Sequence, residues 1–119
     1  MNKGFRDLKV WREAKELAVQ VYKLSQTEKI KRDFGMKDQL TRAAVSVPSN
    51  IAEGDERDTQ KDCIRFLYIA KGSLAELQTQ LEIAAEVGLI EKDEQARLEQ
   101  HSQKIGKMLG ALIKARSPR

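Results

Sequence analysis

Residues that cross-link, bend or break a chain are scarce among these 119 residues. Cys63 is the only cysteine, which excludes an intrachain disulfide and a metal site built from several thiolates. Two prolines and seven glycines are too few for a linker-rich or β-rich protein. These scarcities favour a single helical domain, which we expect to span residues 1–119.

Long apolar runs are also missing from the sequence. No window approaches the roughly 18 consecutive apolar residues of a membrane-spanning helix. The first residues, MNKGFRDLKV, have no apolar core of the kind found in signal peptides. Together with the single thiol, these features predict a cytoplasmic protein without a membrane partner.

Helix-forming residues dominate what is present: Ala, Leu, Glu, Lys, Gln and Arg. Apolar residues recur at spacings of three and four, which predicts helices over residues 7–25, 35–53, 58–87 and 93–115, with a basic tail over 116–119. The stretch QTEKIKRDFG between the first two helices is polar and predicts a connection. Four helices with short connections predict an all-α fold, an antiparallel up-down four-helix bundle.

The second predicted helix contains a proline. The apolar pattern continues from Val47 to Ile51 across Pro48, so we interpret this segment as one helix that is kinked at Pro48. Polar side chains that can satisfy the backbone groups left unpaired by the proline lie around it: Ser46, Ser49 and Asn50.

The third predicted helix carries an apolar stripe on each of two opposite sides. We expect Thr59 to cap its beginning and Gly88 to end it. Because four helices leave little to cover a second stripe, the pattern favours self-association; the alternative is an irregular bundle with one central helix. The predicted interface between copies comprises small and apolar residues of the second and third helices: Val45, Pro48, Ala52, Ile64, Tyr68, Gly72, Ala75 and Ile83.

Charge is segregated along the chain. Residues 1–52 hold eleven basic and six acidic groups, residues 53–96 five and eleven, and residues 97–119 six and one. Basic residues on one side of the last helix are candidates for contacts with phosphates, and two residues of the first helix are secondary candidates. The alternative is a solvated face, or one paired with the acidic middle of the chain. The candidates are Arg97, Lys104, Lys107, Lys114, Lys9 and Arg12.

Motifs of enzyme or metal sites are not apparent. His101, the only histidine, and Cys63 form a nominal base and nucleophile, but both occupy core-type positions, which favours structural roles. The acidic run from Glu53 to Asp58 lacks the glycine-punctuated loop of a calcium site, and helix capping explains it. We therefore expect no enzyme activity, no metal, no cofactor and no small-molecule substrate.

Three segments carry a resemblance to a known family: FRDLKVWREAKELAVQVYKL, QLTRAAVSVPSNIAEGDERD and FLYIAKGSLAELQTQLEIAAEVGLI. Over residues 5–90 the chain resembles the bacterial four-helix bundle proteins encoded by intervening sequences of 23S ribosomal RNA genes. It is also similar to the accessory variability proteins of diversity-generating retroelements. The resemblance implies a ring-shaped homopentamer, and five copies at +4 each would carry +20.

Two departures from the family pattern affect which family properties can be expected of this chain. Cys63 stands where the family usually has a bulky aromatic residue, and DERDTQKD is more acidic than the usual run, which argues against nucleic-acid contact there. We expect Arg57 to pair with Glu53 and to tie the corner between the second and third helices.

The hypothesis from sequence is a non-enzymatic homo-oligomer that binds RNA or DNA non-specifically. The alternative is a scaffold whose oligomer recruits a protein partner, such as a reverse transcriptase or another polymerase.

Overall fold

The computed structural model describes residues 4–118 of the chain. A 3-10 turn, Gly4–Asp7, precedes five α-helices in these residues: α1 (Lys9–Leu24), α2 (Glu28–Arg32), α3 (Phe34–Asp55), α4 (Gln60–Glu86) and α5 (Lys92–Arg116). The described residues contain no strand, so the predicted all-α class is confirmed. The bounds of the four long helices differ from the predicted ones by at most two residues.

The four long helices pack lengthwise into an elongated bundle of 46 × 24 × 22 Å. Helix α1 contacts α3 and α5, and α4 contacts the same two helices. Each long helix contributes its apolar stripe to one core, and each large side chain buried there stabilises the fold by about 1.5–3 kcal/mol relative to exposure. Fully buried members include Leu17, Leu40, Ile51, Leu67, Leu77, Leu81, Leu98, Ile105 and Leu109.

The segment between α1 and α3 is the clearest difference from prediction. It was expected to be a polar connection, but it contains α2, a helix of five residues. Its single apolar side chain, Ile30, is fully buried, and Asp33 caps the following helix by accepting a hydrogen bond from the backbone of Met36 (3.0 Å). One apolar residue cannot produce a periodic signal, which is why the prediction was wrong here.

Helix α3 is continuous through Pro48. The amide of Asn50 donates hydrogen bonds to the carbonyl (2.8 Å) and hydroxyl (2.9 Å) oxygens of Ser46, and the Ser46 hydroxyl lies 2.7 Å from that of Ser73 on α4. The polar residues near the proline therefore join α3 to α4. Pro48 itself is buried among the chain's own atoms, because its position on the helix lies about 40° from the core residue Ala44 and about 60° from the core residue Ile51.

Both ends of α4 carry the expected caps. The hydroxyl of Thr59 accepts a hydrogen bond from the backbone of Asp62 (3.1 Å). At the other end Gly88 adopts φ +82°, and the Leu89 amide donates to the carbonyl oxygen of Ala84 (2.8 Å). No helix within residues 4–118 has the length and apolarity needed to cross a membrane.

Candidate nucleic-acid interface

The outer side of α5 presents four exposed basic side chains, Arg97, Lys104, Lys107 and Lys114. Two of them are paired with carboxylates. Arg97 contacts Glu94 (Nη2–Oε2, 2.6 Å), and Lys104 lies 3.4 Å from Oε2 of Glu13 on α1.

Lys107 and Lys114 differ from Arg97 and Lys104 in their surroundings. Among the described residues, no carboxylate lies within ion-pair distance of either lysine. Their ammonium groups therefore keep a charge that is not locally neutralised, which a phosphate-binding surface requires.

A cluster of polar side chains joins α1 to α5 beneath this surface. His101 Nε2 lies 2.8 Å from Oε1 of Glu13, and the two side chains are 16% and 25% exposed. The hydrogen bond with His101 lowers the pKa of Glu13, and Lys104 acts in the same direction while desolvation opposes both. The carboxylate is held ionised and fixes the relative position of α1 and α5.

Lys9 and Arg12 are exposed on α1. Glu13, which follows them in the first turns of that helix, contacts His101 and Lys104 of α5. Arg12 donates a hydrogen bond from Nη1 to the carbonyl oxygen of Arg6 (2.8 Å), which ties the N-terminal turn to α1.

An aromatic and cationic stack at the N-terminal turn was not predicted from sequence. The rings of Phe5 and Trp11 have centroids 5.0 Å apart at an angle of 57°. The Arg6 guanidinium carbon lies 4.5 Å from the Phe5 centroid, and the Lys15 ammonium lies 5.3 Å from the Trp11 ring. Phe5 and Trp11 come together because the 3-10 turn reverses the chain. A spacing of six residues is not a helical repeat, so the sequence did not predict this contact.

Cys63 and His101 do not meet. The cysteine sulfur accepts a hydrogen bond from Arg116 (3.3 Å), whereas His101 contacts Glu13. Arg116 and His101 are both on α5, fifteen residues or about 22 Å apart along its axis. These two side chains therefore do not form a nucleophile and base pair.

The corner between α3 and α4 contains the expected ion pair. Arg57 Nη2 lies 2.6 Å from Oε2 of Glu53. The guanidinium carbons of Arg57 and Arg65 each lie 4.5 Å from the centroid of Phe66, which fixes the ring between the two helices.

The predicted interface residues occupy two surfaces. On α3, Val45 is exposed and Ala52 half-buried; we call these the α3 surface. On α4, Tyr68, Gly72, Ala75 and Ile83 are exposed and Ile64 is half-buried; we call these the α4 surface. Pro48, the eighth predicted residue, is buried within one chain, so its side chain has little surface left for a contact between copies.

A polar groove separates the α3 and α4 surfaces. Ser73 on α4 faces Ser46 on α3, and Tyr68 is five positions earlier, about 140° around the helix. The groove between the two helices has a volume of about 330 Å³. Its lining is almost entirely polar or charged: Asp38, Gln39, Arg42, Ala43, Ser46, Glu76 and Gln80.

A second, larger groove of about 850 Å³ lies at the end of the bundle where α1 and α4 finish. Apolar residues Leu24, Leu89 and Ile90 form part of its wall, and Glu91 and Asp93 lie at its edge. The helix ends in this part of the molecule also expose Phe34 (78%) and Val87.

The sequence and fold of this chain are similar to those of known proteins. A family model described as 23S rRNA-intervening sequence protein matches residues 6–111. A crystal structure of a protein with unknown function from the S23 ribosomal protein family of Bacteroides thetaiotaomicron is 28% identical, with a TM-score of 0.81 over 88% of this chain and 98% of that chain. No curated protein matches this chain. The match over most of the chain, together with the helical bundle, shows that it belongs to the family of 23S rRNA-intervening sequence proteins.

Proposed function

We propose that this protein is a non-enzymatic homo-oligomer that binds RNA or DNA without sequence specificity through a basic surface on α1 and α5. The basic surface consists of Arg97, Lys104, Lys107, Lys114, Lys9 and Arg12. The observation that carries the proposal is the pair of exposed lysines, Lys107 and Lys114, which have no carboxylate within ion-pair distance among the described residues.

Charge alone gives such a surface its affinity. Each lysine that contacts a phosphate releases condensed counterions, so the affinity falls steeply as salt is added. Arg97 and Lys104 contribute less, because Glu94 and Glu13 partly neutralise them. Oligomerisation would multiply the +4 of one chain and let several copies contact one polyanion.

The proposed protomer is an up-down bundle. Side-chain contacts pair Gln39 with Gln80 and Ser46 with Ser73, so positions on α3 rise as those on α4 fall. Contacts of α5 follow the same rule: Glu99 with Gln78, and Arg116 with Cys63. Adjacent helices that run in opposite directions explain why short connections suffice.

The proposed assembly is a ring in which the α3 surface of one copy contacts the α4 surface of the next. Two different surfaces on one chain favour a heterologous contact, and such a contact closes into a ring when its rotation permits. The separation of the two surfaces by the polar groove supports this arrangement. Five copies are the number that the family resemblance implies.

The proposed binding is tested by fluorescence anisotropy with labelled RNA and DNA at increasing salt. A double variant, Lys107→Glu with Lys114→Glu, should weaken binding at low salt and reduce the slope of log affinity against log salt by at least about two per bound chain. A matched control, Lys31→Glu with Lys92→Glu, makes the same change of charge at exposed positions of α2 and the beginning of α5. Absence of binding to either nucleic acid at low salt would refute the proposal.

A protein scaffold is the second candidate, and the apolar exposure at the other end of the bundle favours it. Phe34 is 78% exposed, and Tyr22 and Val87 are also exposed. In this case a polymerase co-purifies with the tagged protein without nucleic acid, and Phe34→Ser releases it while leaving the helical content unchanged.

A further inference from the structure

The N-terminal stack consists of two adjacent aromatic rings, Phe5 and Trp11, with a cation at each end, Arg6 and Lys15. Arg6 contacts one ring at 4.5 Å, the two rings contact each other at 5.0 Å, and Lys15 contacts the second ring at 5.3 Å. Both rings are half-buried, whereas Arg6 and Lys15 are exposed. One side of the stack is therefore anchored on the bundle, and the other is open to a ligand.

The backbone holds the stack in place. The Leu8 amide donates a hydrogen bond to the carbonyl oxygen of Phe5 (3.0 Å), which closes the 3-10 turn. The Arg12 guanidinium donates to the carbonyl oxygen of Arg6 (2.8 Å). A ligand that binds here meets a turn that is already ordered, so less conformational entropy is lost on binding.

Packing of the N-terminal turn accounts for the two rings but not for the cations. A contact between Phe5 and Trp11 is enough to attach the turn to α1. Arg6 and Lys15 have no carboxylate within ion-pair distance among residues 4–118, so neither is positioned by an ion pair. Uncompensated cations beside aromatic rings are the combination with which proteins hold single-stranded nucleic acid.

We propose that the N-terminal stack binds an unpaired nucleobase of single-stranded RNA or DNA. The base stacks on the planar guanidinium of Arg6, which itself lies over the Phe5 ring, as bases stack on arginine side chains elsewhere. Lys9 and Arg12, which are exposed on the adjacent turn of α1, bind the flanking phosphates.

This inference rests on the proposed function and narrows it to single strands. A base inside a duplex is covered on both faces by its neighbours and cannot reach the stack without being unstacked, which costs a few kilocalories per mole. An unpaired base has a free face. The stack should therefore increase the affinity for single strands, but not the affinity for a duplex or for a polyanion without bases.

Two labelled oligonucleotides of equal length and phosphate number provide the test: oligo(dT), and the same backbone with abasic residues. We expect oligo(dT) to bind between about fivefold and about a hundredfold more tightly for one stacked base. Trp11 is the only tryptophan, so its emission reports directly on the stack and should be quenched by oligo(dT) alone.

Two variants assign the effect to the stack. Arg6→Lys keeps the charge and removes the planar group, and Phe5→Leu keeps an apolar contact and removes the ring. Both should bring the affinity ratio toward one and leave abasic binding unchanged. Arg32→Lys on α2 is the matched control, because that exposed arginine pairs with Glu28 away from the stack. If Phe5→Leu reduces the helical circular dichroism signal, the Arg6→Lys variant, at an exposed position, is used alone to test the base-binding site.

The outcomes separate the two proposals. Equal affinity for both oligonucleotides, with unchanged Trp11 emission, overturns the base-binding site and leaves phosphate binding intact. If Arg6→Lys and Phe5→Leu still bind oligo(dT) more tightly than the abasic oligonucleotide by the same factor, the base-binding site is also overturned. Absence of binding by either oligonucleotide at low salt overturns both this inference and the proposed function.

Discussion

Glu13 contacts two side chains of α5 with its two carboxylate oxygens. His101 lies 2.8 Å from Oε1 and Lys104 3.4 Å from Oε2. Sequence patterns predicted that Lys104 would be exposed, and it is, but they did not predict its partner. Residues on α1 and α5 are far apart in the chain, and only the packing of the helices determines which charges meet.

Replacing Glu13 by Gln should destabilise the fold in a pH-dependent way. The hydrogen bond with His101, and Lys104 next, hold the pKa of Glu13 below its usual range. A carboxylate whose pKa is lower in the folded chain stabilises the fold above the unfolded pKa, and this stabilisation is lost as the pH falls through the folded pKa. Glu13→Gln should therefore lower the free energy of unfolding by about 1 kcal/mol at neutral pH and by much less in acid.

Urea unfolding of the natural sequence and of Glu13→Gln, each at neutral and at acid pH, measures this loss in the free energy of unfolding. Glu16→Gln is the control, because Glu16 is exposed on the same helix and, among the described residues, its side chain accepts a hydrogen bond only from Gln20 (3.4 Å). If Glu13→Gln lowers the free energy of unfolding by the same amount at both pH values, the ionised Glu13 carboxylate is not the source of the stabilisation.

Gly54 is a position where a single methyl group matters. An added Cβ would lie 3.0 Å from the carbonyl oxygen of Cys63 and 3.1 Å from the Phe66 Cβ, so α3 and α4 could not approach as closely. Gly54→Ala should lower the free energy of unfolding by about 1–3 kcal/mol. Gly110→Ala on α5, where nothing lies within 4 Å, should instead raise it by up to about 1 kcal/mol. Thermal unfolding of both variants checks the opposite signs.

At the scale of whole elements, the long helices could be predicted and the short one could not. Each long helix repeats its apolar spacing over several turns, whereas α2 has one apolar residue in five. The two stripes of α4 were visible in the sequence, but the polar groove that divides the predicted interface was not. The groove is formed by residues of both α3 and α4, so it exists only once the two helices have packed.

Ile30 should contribute more to stability than its short helix suggests. It is fully buried and is the only buried residue of α2, so Ile30→Ala leaves a cavity and detaches the helix from α3. We expect a loss of about 2–5 kcal/mol in the free energy of unfolding. Ile69→Ala, at an exposed position of α4, is the matched control and should change the stability little. Equal effects of the two substitutions in chemical denaturation would contradict the role of α2 as an anchored element.

At the scale of the whole molecule, the positions of the apolar surfaces determine how copies can associate. The α3 and α4 surfaces lie on either side of the polar groove and carry different residues. Contacts between identical surfaces would give dimers, whereas contacts between the two different surfaces would give a ring if their rotation closes and an open filament if it does not. A charged residue introduced into the α3 surface and one introduced into the α4 surface should therefore have effects on association that can be measured separately.

Two single substitutions distinguish these arrangements. Val45→Glu disables the α3 surface and Tyr68→Glu the α4 surface; both side chains are exposed, so neither substitution disturbs the core. In the proposed ring, light scattering should give a mass near five chains of 13.5 kDa for the natural sequence and one chain for each variant alone. An equal mixture of the variants should form a dimer and stop, because each variant retains the surface that the other lacks. Dimers formed by either variant alone would instead indicate contacts between identical surfaces, and a single-chain mass for the natural sequence would refute self-association.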